Sequence, residues 1–398
     1  MQRASTTVVQ DMRRLAFSIY LPTLLNAIAR GGALVLLPLY ALESEGGTVV
    51  AGAILSLRAL GTMLADVPAG QLTAKIGDKA VMLCGLAIVG TTAILASFTG
   101  SPMALTVVAV GFGVGSGAWI LGRLSHITEN VRLERRGRVI SVLAGLERAG
   151  AMIGPVSAGI GVELLGYSPV FVVLGVVSLS SFVLVSILTK RTHLRTVSHV
   201  PVGALQIASK HAVTLSRCGG VMICLSLLRN SRQLIIPVWG TAIGLGPAEI
   251  GLVSSLTATV DLMMFIPAGL ILDHLGRRAA LIPAMTIMSV ALTLLPWTET
   301  FTSFLLVSLL GGLGNGFGTG IFMTIGGDLA PRYGRSQFLG IWRLIGDSGG
   351  AAGPSVLGAL AQTFTMVVAC GVTGSIGLLG ALAAFLVIPE TRHRPLDG

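Results

Sequence analysis

Charged side chains inside long apolar runs are the residues of this chain with the clearest chemical potential. The runs are long enough to cross a bilayer, and a charge at the bilayer centre is costly unless it faces a cavity or a partner. Each such residue is therefore a candidate for substrate binding, proton transfer or ion pairing. The arginines are Arg30, Arg58, Arg123, Arg148, Arg229, Arg232 and Arg343, and the acids are Asp66, Glu147, Asp261 and Asp347.

Two of these arginines, Arg30 and Arg229, are separated by 199 residues and lie near the middle of their apolar runs. A guanidinium group binds carboxylate or phosphate through two parallel hydrogen bonds and stays charged at any working pH. Together with Arg232, one turn beyond the second, they are predicted to bind an anionic substrate. In the alternative, each arginine pairs with an acid such as Asp261 or Glu147 and does not meet the substrate.

Embedded carboxylates are the candidates for carrying a proton, because burial disfavours the charged form of a carboxyl group. Asp261 lies near the middle of its apolar run and has no basic residue within one helical turn along the chain. This isolation makes Asp261 the first candidate for proton coupling, followed by Asp66 and Glu147.

Other embedded charges are spaced for structural ion pairing. Arg343 and Asp347 are four residues apart, which places them about 6 Å apart along one face of a helix. Arg148 occupies the position that is equivalent to Asp347 in the internal repeat described below, so opposite charges lie at matching depths. These three residues are predicted to form ion pairs.

The composition of the chain indicates a membrane protein. Hydrophobic residues make up 53% of the chain and charged residues only 11%, whereas soluble domains are about a quarter charged. Twelve apolar runs are too long for strands, so the predicted fold class is an all-α membrane protein with twelve transmembrane helices. Spans 1 to 12 are predicted at residues 15–42, 49–73, 80–98, 102–126, 137–164, 168–189, 216–243, 249–272, 278–297, 300–325, 336–361 and 365–388.

The distribution of Lys and Arg predicts the orientation of these spans. The basic residues concentrate in the termini and the even-numbered loops, whereas the odd-numbered loops contain acids such as Glu45 and Glu299 and no Lys or Arg. By the positive-inside rule, both termini are cytoplasmic and the protein is a multi-pass protein of the cytoplasmic membrane. Topology therefore explains the net charge of +10, and no nucleic-acid partner is expected.

An offset of 199 residues relates the two halves of the chain. The matched positions include Pro38 with Pro237, Pro68 with Pro267, and Gly154-Pro155 with Gly353-Pro354. Two halves of six spans each are the plan of many secondary transporters. The predicted domains are an N-terminal six-helix bundle at 1–189, a cytoplasmic linker at 190–215 and a C-terminal six-helix bundle at 216–398.

The repeated Gly-Pro pair has a physical role in spans 5 and 11. Proline removes a backbone donor and bends a helix, while glycine lets a neighbouring helix approach closely. Gly154-Pro155 and Gly353-Pro354 are therefore predicted to form bent, tightly packed helices that can take part in gating.

The segment AGLILDHLGRRAAL, after span 8, resembles the loop motif of the major facilitator superfamily. The matching residues are Gly269, Asp273, Gly276, Arg277 and Arg278. The resemblance implies a cytoplasmic gate in which the aspartate is set against a neighbouring helix end, with the basic residues alongside. Such a role agrees with the preference of helix N-termini for negative charge.

Further segments extend this resemblance over essentially the whole chain. GAMIGPVSAG resembles the span-5 signature of the superfamily's exporters, and VIPETRHRP resembles the family's end of span 12. The first-half copy of the loop motif has Ala74 in place of the aspartate. The arginine usual before the span-4 glycines is missing, and Arg123, which follows them, is assigned no proton role. The resemblance implies two pseudo-symmetric six-helix bundles, with spans 1 and 7 lining a central cavity.

These observations predict a secondary active transporter that works by alternating access. Its predicted activity is the proton-coupled export or exchange of a small organic anion through the central cavity. The alternative is a drug/proton antiporter for amphipathic compounds, which the exporter-like span-5 signature favours. The expected partners are the substrate, the proton and the lipid bilayer, and the protein is expected to be a monomer.

Other function classes have little support in the sequence. The chain contains no HExxH, GxSxG or Walker-type phosphate loop, so neither an enzyme nor an ATP-driven pump is expected. Its four cysteines lack the spacing of metal ligands, and no metal or cofactor is expected. A receptor without transport activity has no signature that excludes it, and substrate flux in proteoliposomes would separate it from a transporter.

Overall fold

All regular secondary structure in the described part of the chain is helical. A computed structural model describes residues 16–131, 133–189 and 204–390, and this part of the chain contains helices and no strands. Eleven of its helices are long and apolar enough to cross a membrane. The remaining predicted span corresponds to the helix Arg335–Thr363, which is 29 residues long but is rich in glycine and serine. The all-α membrane fold is therefore confirmed.

The helices follow the predicted spans closely. A π-helical turn at Ala16–Tyr20 leads into span 1, and a short helix, Ala204–Lys210, lies in the predicted linker. The helices of spans 1 to 6 are Leu21–Glu43, Gly47–Ile76, Asp78–Ser97, Pro102–Asn130, Leu133–Leu165 and Tyr167–Leu188. Spans 7 to 12 are Ala212–Ala242, Pro247–Met263 with Phe265–His274, Arg277–Leu294, Phe301–Phe317 with Ile321–Leu329, Arg335–Thr363 and Met366–Val387.

Spans 8 and 10 are broken, although the sequence predicts each as one continuous helix. The break in span 8 falls at Met264. The preceding residue, Met263, lies four positions before Pro267, and a proline ring clashes with the carbonyl group at that position in a helix. The break in span 10 ends at Gly320, which has a φ of 77°, a left-handed conformation that glycine adopts without strain. Discontinuous helices in transporters commonly form substrate and ion sites.

The chain divides into two compact units, each of which contains one segment from the other half of the sequence. The first turns of span 2 therefore group with the second half of the chain, and the first turns of span 8 group with the first half. This differs from the predicted bundles at 1–189 and 216–398, and we call these two pieces the exchanged segments. We call these units the N-terminal unit, which comprises Met1–Glu45, Leu57–Val197 and Gly246–Ser255, and the C-terminal unit, which comprises Gly46–Ser56, Ser198–Leu245 and Leu256–Gly398.

Each unit uses the same internal packing. In the N-terminal unit, span 1 packs against spans 5 and 6, and span 3 packs against spans 4 and 6. In the C-terminal unit, span 7 packs against spans 11 and 12, and span 9 packs against spans 10 and 12. The second pattern is the first one advanced by six spans, as the repeat predicts.

Glycines of the repeated Gly-Pro pairs lie where neighbouring helices make backbone contact. A Cβ atom built on Gly154 would lie 2.6 Å from the backbone nitrogen of Gly32 in span 1. A Cβ atom on the equivalent residue, Gly353, would lie 2.6 Å from the carbonyl oxygen of Leu227 in span 7. Any side chain at these positions would push the helices apart, because backbone atoms cannot move away as the end of a side chain can.

We expect Gly154→Ala to destabilise the protein by about 1 to 3 kcal/mol, the usual cost of overpacking. Gly145→Ala on the same helix is the matched control, since a Cβ atom there has nothing within 4 Å. Alanine is the better helix former, so the control should be neutral or slightly stabilising. Denaturation of both purified variants in detergent measures the difference, and equal stabilities would contradict the packing argument.

Candidate functional site

The N-terminal unit contains a carboxylate that is shared by two arginines from other spans. The Glu147 carboxylate of span 5 accepts a hydrogen bond from Arg30 Nη1 of span 1 at 3.1 Å and from Arg123 Nη1 of span 4 at 2.7 Å. Arg123 also donates to the hydroxyl of Thr23 at 3.2 Å. Side-chain exposure is 9% for Arg123 and 26% for Glu147. The cluster therefore links spans 1, 4 and 5 in a largely buried environment.

A third arginine adds positive charge to this cluster. Arg58 of span 2 lies close enough to Arg30 for electrostatic repulsion between the two guanidinium groups. The Nε atom of Arg58 is buried and has no hydrogen-bond partner among the described residues. Arg58 thus adds a third guanidinium group beside Arg30, and an anion placed beside Arg58 would offset the repulsion between these two groups.

The sequence alone did not reveal the role of Arg123. Its side chain stacks over the ring of Trp119, with the guanidinium carbon 5.5 Å from the ring centroid, and this contact helps to fix its direction. Arg123 and Glu147 are 24 residues apart, so no helical spacing relates them. The one available signal was the presence of both charges within apolar runs.

The C-terminal unit places Asp261 at the two helix breaks. Its carboxylate accepts hydrogen bonds from Asn315 Nδ2 at 2.8 Å and from Thr319 Oγ1 at 3.4 Å, on span 10. Arg232 of span 7 also interacts electrostatically with this carboxylate. The isolation that Asp261 shows along the sequence is therefore lost in the fold, because packing brings a basic residue from another span.

Arg229, the repeat equivalent of Arg30, makes a different contact. Its Nη2 atom donates to the carbonyl oxygen of Gly318, in the turn that separates the two helices of span 10. Carbonyl groups at a helix break lack some of their intrahelical partners, so they are ready acceptors for a cationic side chain. The two arginines share a position in the repeat but are held by different groups.

The predicted ion pair within span 11 is present. Arg343 Nε lies 3.4 Å from Asp347 Oδ2, and the two side chains are 39% and 42% exposed. Arg148 lies in the N-terminal unit, whereas its repeat equivalent Asp347 lies in the C-terminal unit. Asp66 is partly buried on span 2. The functional roles assigned to Arg148 and Asp66 stay predictions.

The residue after each Gly-Pro pair donates a hydrogen bond from its backbone N–H group to a serine hydroxyl. In the N-terminal unit, the N–H of Val156 donates to Oγ of Ser255 at 3.0 Å. In the C-terminal unit, the N–H of Ser355 donates to Oγ of Ser56 at 3.0 Å. Both serines lie on the exchanged first turns of spans 8 and 2, and both pairs obey the offset of 199. The backbone N–H groups beside the two Gly-Pro pairs thus donate to serines of the exchanged segments.

Two acids from other segments of the chain, Asp328 and Glu390, bind the loop motif that follows span 8. Arg277 Nε lies 2.8 Å from Asp328 Oδ2. The carboxylate of Glu390 accepts from the backbone N–H groups of Arg277 at 2.8 Å and Arg278 at 3.3 Å. Asp273 is exposed and interacts electrostatically with Arg277, so Glu390 and Asp273 both contribute negative charge here, and the gating role of Asp273 stays a prediction. Glu390 lies in the segment that resembles the family's end of span 12.

Two glycines of this motif have different structural environments. Gly276 has a φ of 105°, a left-handed backbone conformation that favours glycine, and a Cβ atom there would collide with the Glu390 carboxylate. Gly269 lies inside the second helix of span 8, and a Cβ atom there would have nothing within 4 Å. Local backbone geometry therefore explains the first glycine and not the second.

In the first-half copy of the motif, an acid occupies the position of Arg277 and faces a histidine. Asp78, the repeat equivalent of Arg277, is buried at the start of span 3, and its Oδ2 atom lies 2.5 Å from Nδ1 of His126 on span 4. Lys79 Nζ donates to the carbonyl oxygens of Ser186 at 2.7 Å and Thr189 at 2.6 Å. Within the described residues, no group of three or more His, Cys, Asp or Glu is placed to hold a metal ion.

Comparison with known families agrees with this architecture. The family model of the Major Facilitator Superfamily matches residues 19–228 and 218–397. Among solved structures, a D-xylose-proton symporter has a TM-score of 0.73 at 14% identity, covering 96% of this chain and 99% of the symporter. At that identity, the likeness concerns the fold.

Curated relatives match over part of their length. The inner membrane transport protein YnfM of Escherichia coli K12 is 24% identical over 162 residues, which is 40% of this chain and 39% of YnfM. The multidrug resistance protein MdtG of Enterobacter lignolyticus SCF1 is 24% identical over 183 residues, which is 45% of this chain and 44% of MdtG. The matched region thus spans less than half the length of either relative.

We expect Glu147→Gln to lower the free energy of unfolding by about 3 kcal/mol, because it leaves two buried guanidinium groups without their shared counter-charge. Asp347→Asn is the matched control, since the pair that it breaks is exposed and should be worth less than about 1 kcal/mol. Equilibrium denaturation of both purified variants in detergent checks the difference. A loss for Glu147→Gln no greater than for the control would show that the cluster is not structural.

Proposed function

The chain belongs to the major facilitator superfamily, and we propose that it is a proton-coupled transporter that exports or exchanges a small organic anion by alternating access. The family match over both halves and the apolar helices already make it a multi-pass membrane protein of a transporter family. The proposal adds the substrate class, the coupled ion, cytoplasmic termini and a monomeric state. Substrate sites in such transporters lie near the bilayer midplane.

The excess of positive charge in the N-terminal unit is the observation that carries the anion proposal. Arg30 and Arg123 share one carboxylate, Glu147, and Arg58 lies close enough to Arg30 for repulsion between their two guanidinium groups. An anion that binds at Arg58 and Arg30 would relieve this imbalance, and guanidinium groups suit carboxylate or phosphate. Arg229 offers a further guanidinium group in the C-terminal unit, where it contacts Gly318.

Asp261 is the proposed proton carrier. It lies where spans 8 and 10 are both broken, and the neutral side chains of Asn315 and Thr319 donate to it. Neutral donors and acceptors can serve either protonation state, because a protonated carboxyl group still accepts through one oxygen. Glu147 is less suited to proton transfer, since two guanidinium groups engage its carboxylate.

The second candidate function is drug/proton antiport. The specific observation in its favour is the similarity to relatives named multidrug resistance protein, together with the exporter-like segment GAMIGPVSAG. Under this alternative, the arginine cluster around Glu147 is structural and the substrate is cationic or neutral. The nature of the ligands that stabilise the protein distinguishes the two candidates.

We expect a thermal-shift screen of organic anions, cations and neutral amphiphiles against the purified protein to select anions. Arg58→Gln should then weaken binding of the selected anion about ten- to a hundredfold, because it loses a charge-assisted hydrogen bond. Arg343→Gln is the control, since its ion pair is exposed and lies in span 11. Stabilisation by cations or neutral amphiphiles alone would overturn the anion proposal in favour of drug antiport.

We expect Asp261→Asn to abolish uphill transport driven by a proton gradient in proteoliposomes while it preserves substrate exchange. An amide keeps the size and hydrogen-bonding capacity of the carboxyl group but cannot release a proton at the working pH. Asp328→Asn, at the cytoplasmic end of span 10, is the control that should retain uphill transport. If Asp261→Asn accumulates substrate at the wild-type level, Asp261 does not carry the proton.

A further inference from the structure

The short helix of the linker, Ala204–Lys210, packs on the start of span 11 within the C-terminal unit, and we call it the linker helix. Its residue Ile207 is buried, at 3% exposure, whereas Leu205 is 86% exposed. A Cβ atom built on Gly334 would lie 2.5 Å from Cδ1 of Ile207, so the absence of a side chain at Gly334 makes room for the isoleucine. The linker helix is therefore docked through Ile207.

Aromatic rings continue from this contact along span 11. Phe338 lies one turn after Gly334, and the ring of His211, just after the linker helix, meets the Phe338 ring edge-on with centroids 5.7 Å apart. The Phe338 ring is stacked on Trp342, one turn further along, at 6.4 Å and an interplanar angle of 13°. Both rings are fully buried. In a close-packed interior, neither ring can shift without displacing its neighbours.

Trp342 in turn holds the second helix of span 10, Ile321–Leu329. Its Nε1–H group donates to the carbonyl oxygen of Phe322 at 2.9 Å, and the centroids of the two rings lie 5.8 Å apart. A Cβ atom on Gly326 would lie 2.5 Å from Cδ1 of Trp342, so the tryptophan also packs closely on the backbone of this helix. A continuous series of contacts thus runs from the linker helix to the part of span 10 beyond its break.

We propose that the linker helix is a strap that controls the position of the second helix of span 10. Docking of Ile207 fixes the first turns of span 11, which present Phe338 and Trp342 to Ile321–Leu329. The break in span 10 is the hinge, because Gly320 adopts a left-handed conformation that interrupts the helix. Docking favours the arrangement seen in this structure, and release of the strap frees the second helix to move.

The strap connects the linker to the region around Asp261. The hydroxyl of Thr319 lies 3.4 Å from Asp261 Oδ1, and Thr319 stands two residues before the second helix of span 10 begins. A movement of that helix therefore changes the surroundings of the carboxylate. The inference extends the proposed function, but its test uses neither a substrate nor a proton gradient, so its failure is distinguishable from a failure of the proposed function.

The test is hydrogen–deuterium exchange of the purified full-length protein in detergent, measured by mass spectrometry of its peptides. Ile207→Ala should speed exchange about tenfold in the linker helix and in Ile321–Leu329, because opening of either region no longer has to break the Ile207 contact. Leu205→Ala on the same helix is the matched control and should exchange as the wild type does, since Leu205 is exposed. Amides of Asp78–Ser97, in the N-terminal unit, should be unchanged in both variants.

A second variant tests the direction of the series of contacts. Trp342→Phe removes the donor to Phe322 but keeps an aromatic ring beside Phe338. It should therefore speed exchange in Ile321–Leu329 and leave the linker helix as protected as in the wild type. Unchanged exchange of Ile321–Leu329 in this variant would contradict the proposed connection through Trp342.

Faster exchange that is confined to the linker helix in Ile207→Ala would overturn the proposal, because docking would then have no effect on span 10. An equal rise in Asp78–Ser97, or the same rise in Leu205→Ala, would also overturn it by showing general destabilisation. If Ile207→Ala does not fold, Ile207→Val removes a single methylene group and should give a rise of about two- to threefold in the same two regions. No rise in Ile321–Leu329 for that variant would count against the strap equally.

Discussion

Placing charge within a hydrocarbon layer is costly, and the arrangement of side chains in this protein follows from the ways in which that cost is met. Glu147 binds two arginines, Arg229 donates to a carbonyl beside a helix break, and Asp261 accepts from neutral donors and interacts with Arg232. Each solution requires partners from other spans. The charges therefore determine which helices must stay together, while the apolar residues between them tolerate many packings.

The two halves share their backbone plan more closely than their chemistry. Spans 1 and 5 pack as spans 7 and 11 do, and the serine contacts of Val156 and Ser355 are equivalent. At the first turns of spans 3 and 9, however, Asp78 faces His126 where Arg277 faces Asp328. A contact between an acid and a basic side chain joins the equivalent two helices whichever helix supplies the acid, so the acid could change sides without loss of the contact. The backbone contacts at Gly154 and Gly353 allow no such exchange, because any side chain there would meet the neighbouring backbone.

The irregular parts of the C-terminal unit coincide with its polar groups. Breaks in spans 8 and 10 leave backbone groups that helices would otherwise satisfy, and Arg229 and Asp261 lie beside those breaks. Non-helical backbone at membrane depth is tolerated where protein groups or a cavity satisfy it. This coincidence, rather than family membership, is the reason to assign coupling chemistry to the C-terminal unit. The N-terminal unit, with its unbroken spans and excess arginines, is better suited to bind charge.

The sequence by itself determined the apolar spans, the repeat of 199 residues, the family and the contact between Arg343 and Asp347. Composition, matched positions and motifs are all visible along the chain, and the two residues of the contact are one helical turn apart. Only the tertiary structure decided that Glu147 is shared by Arg30 and Arg123, that Arg232 approaches Asp261, and that Glu390 accepts from the N–H groups at the start of span 9. These partners are 24 to more than 100 residues apart in the chain. Such contacts depend on how whole helices pack and rotate against one another, and the spacing of residues along a single helix does not contain that information.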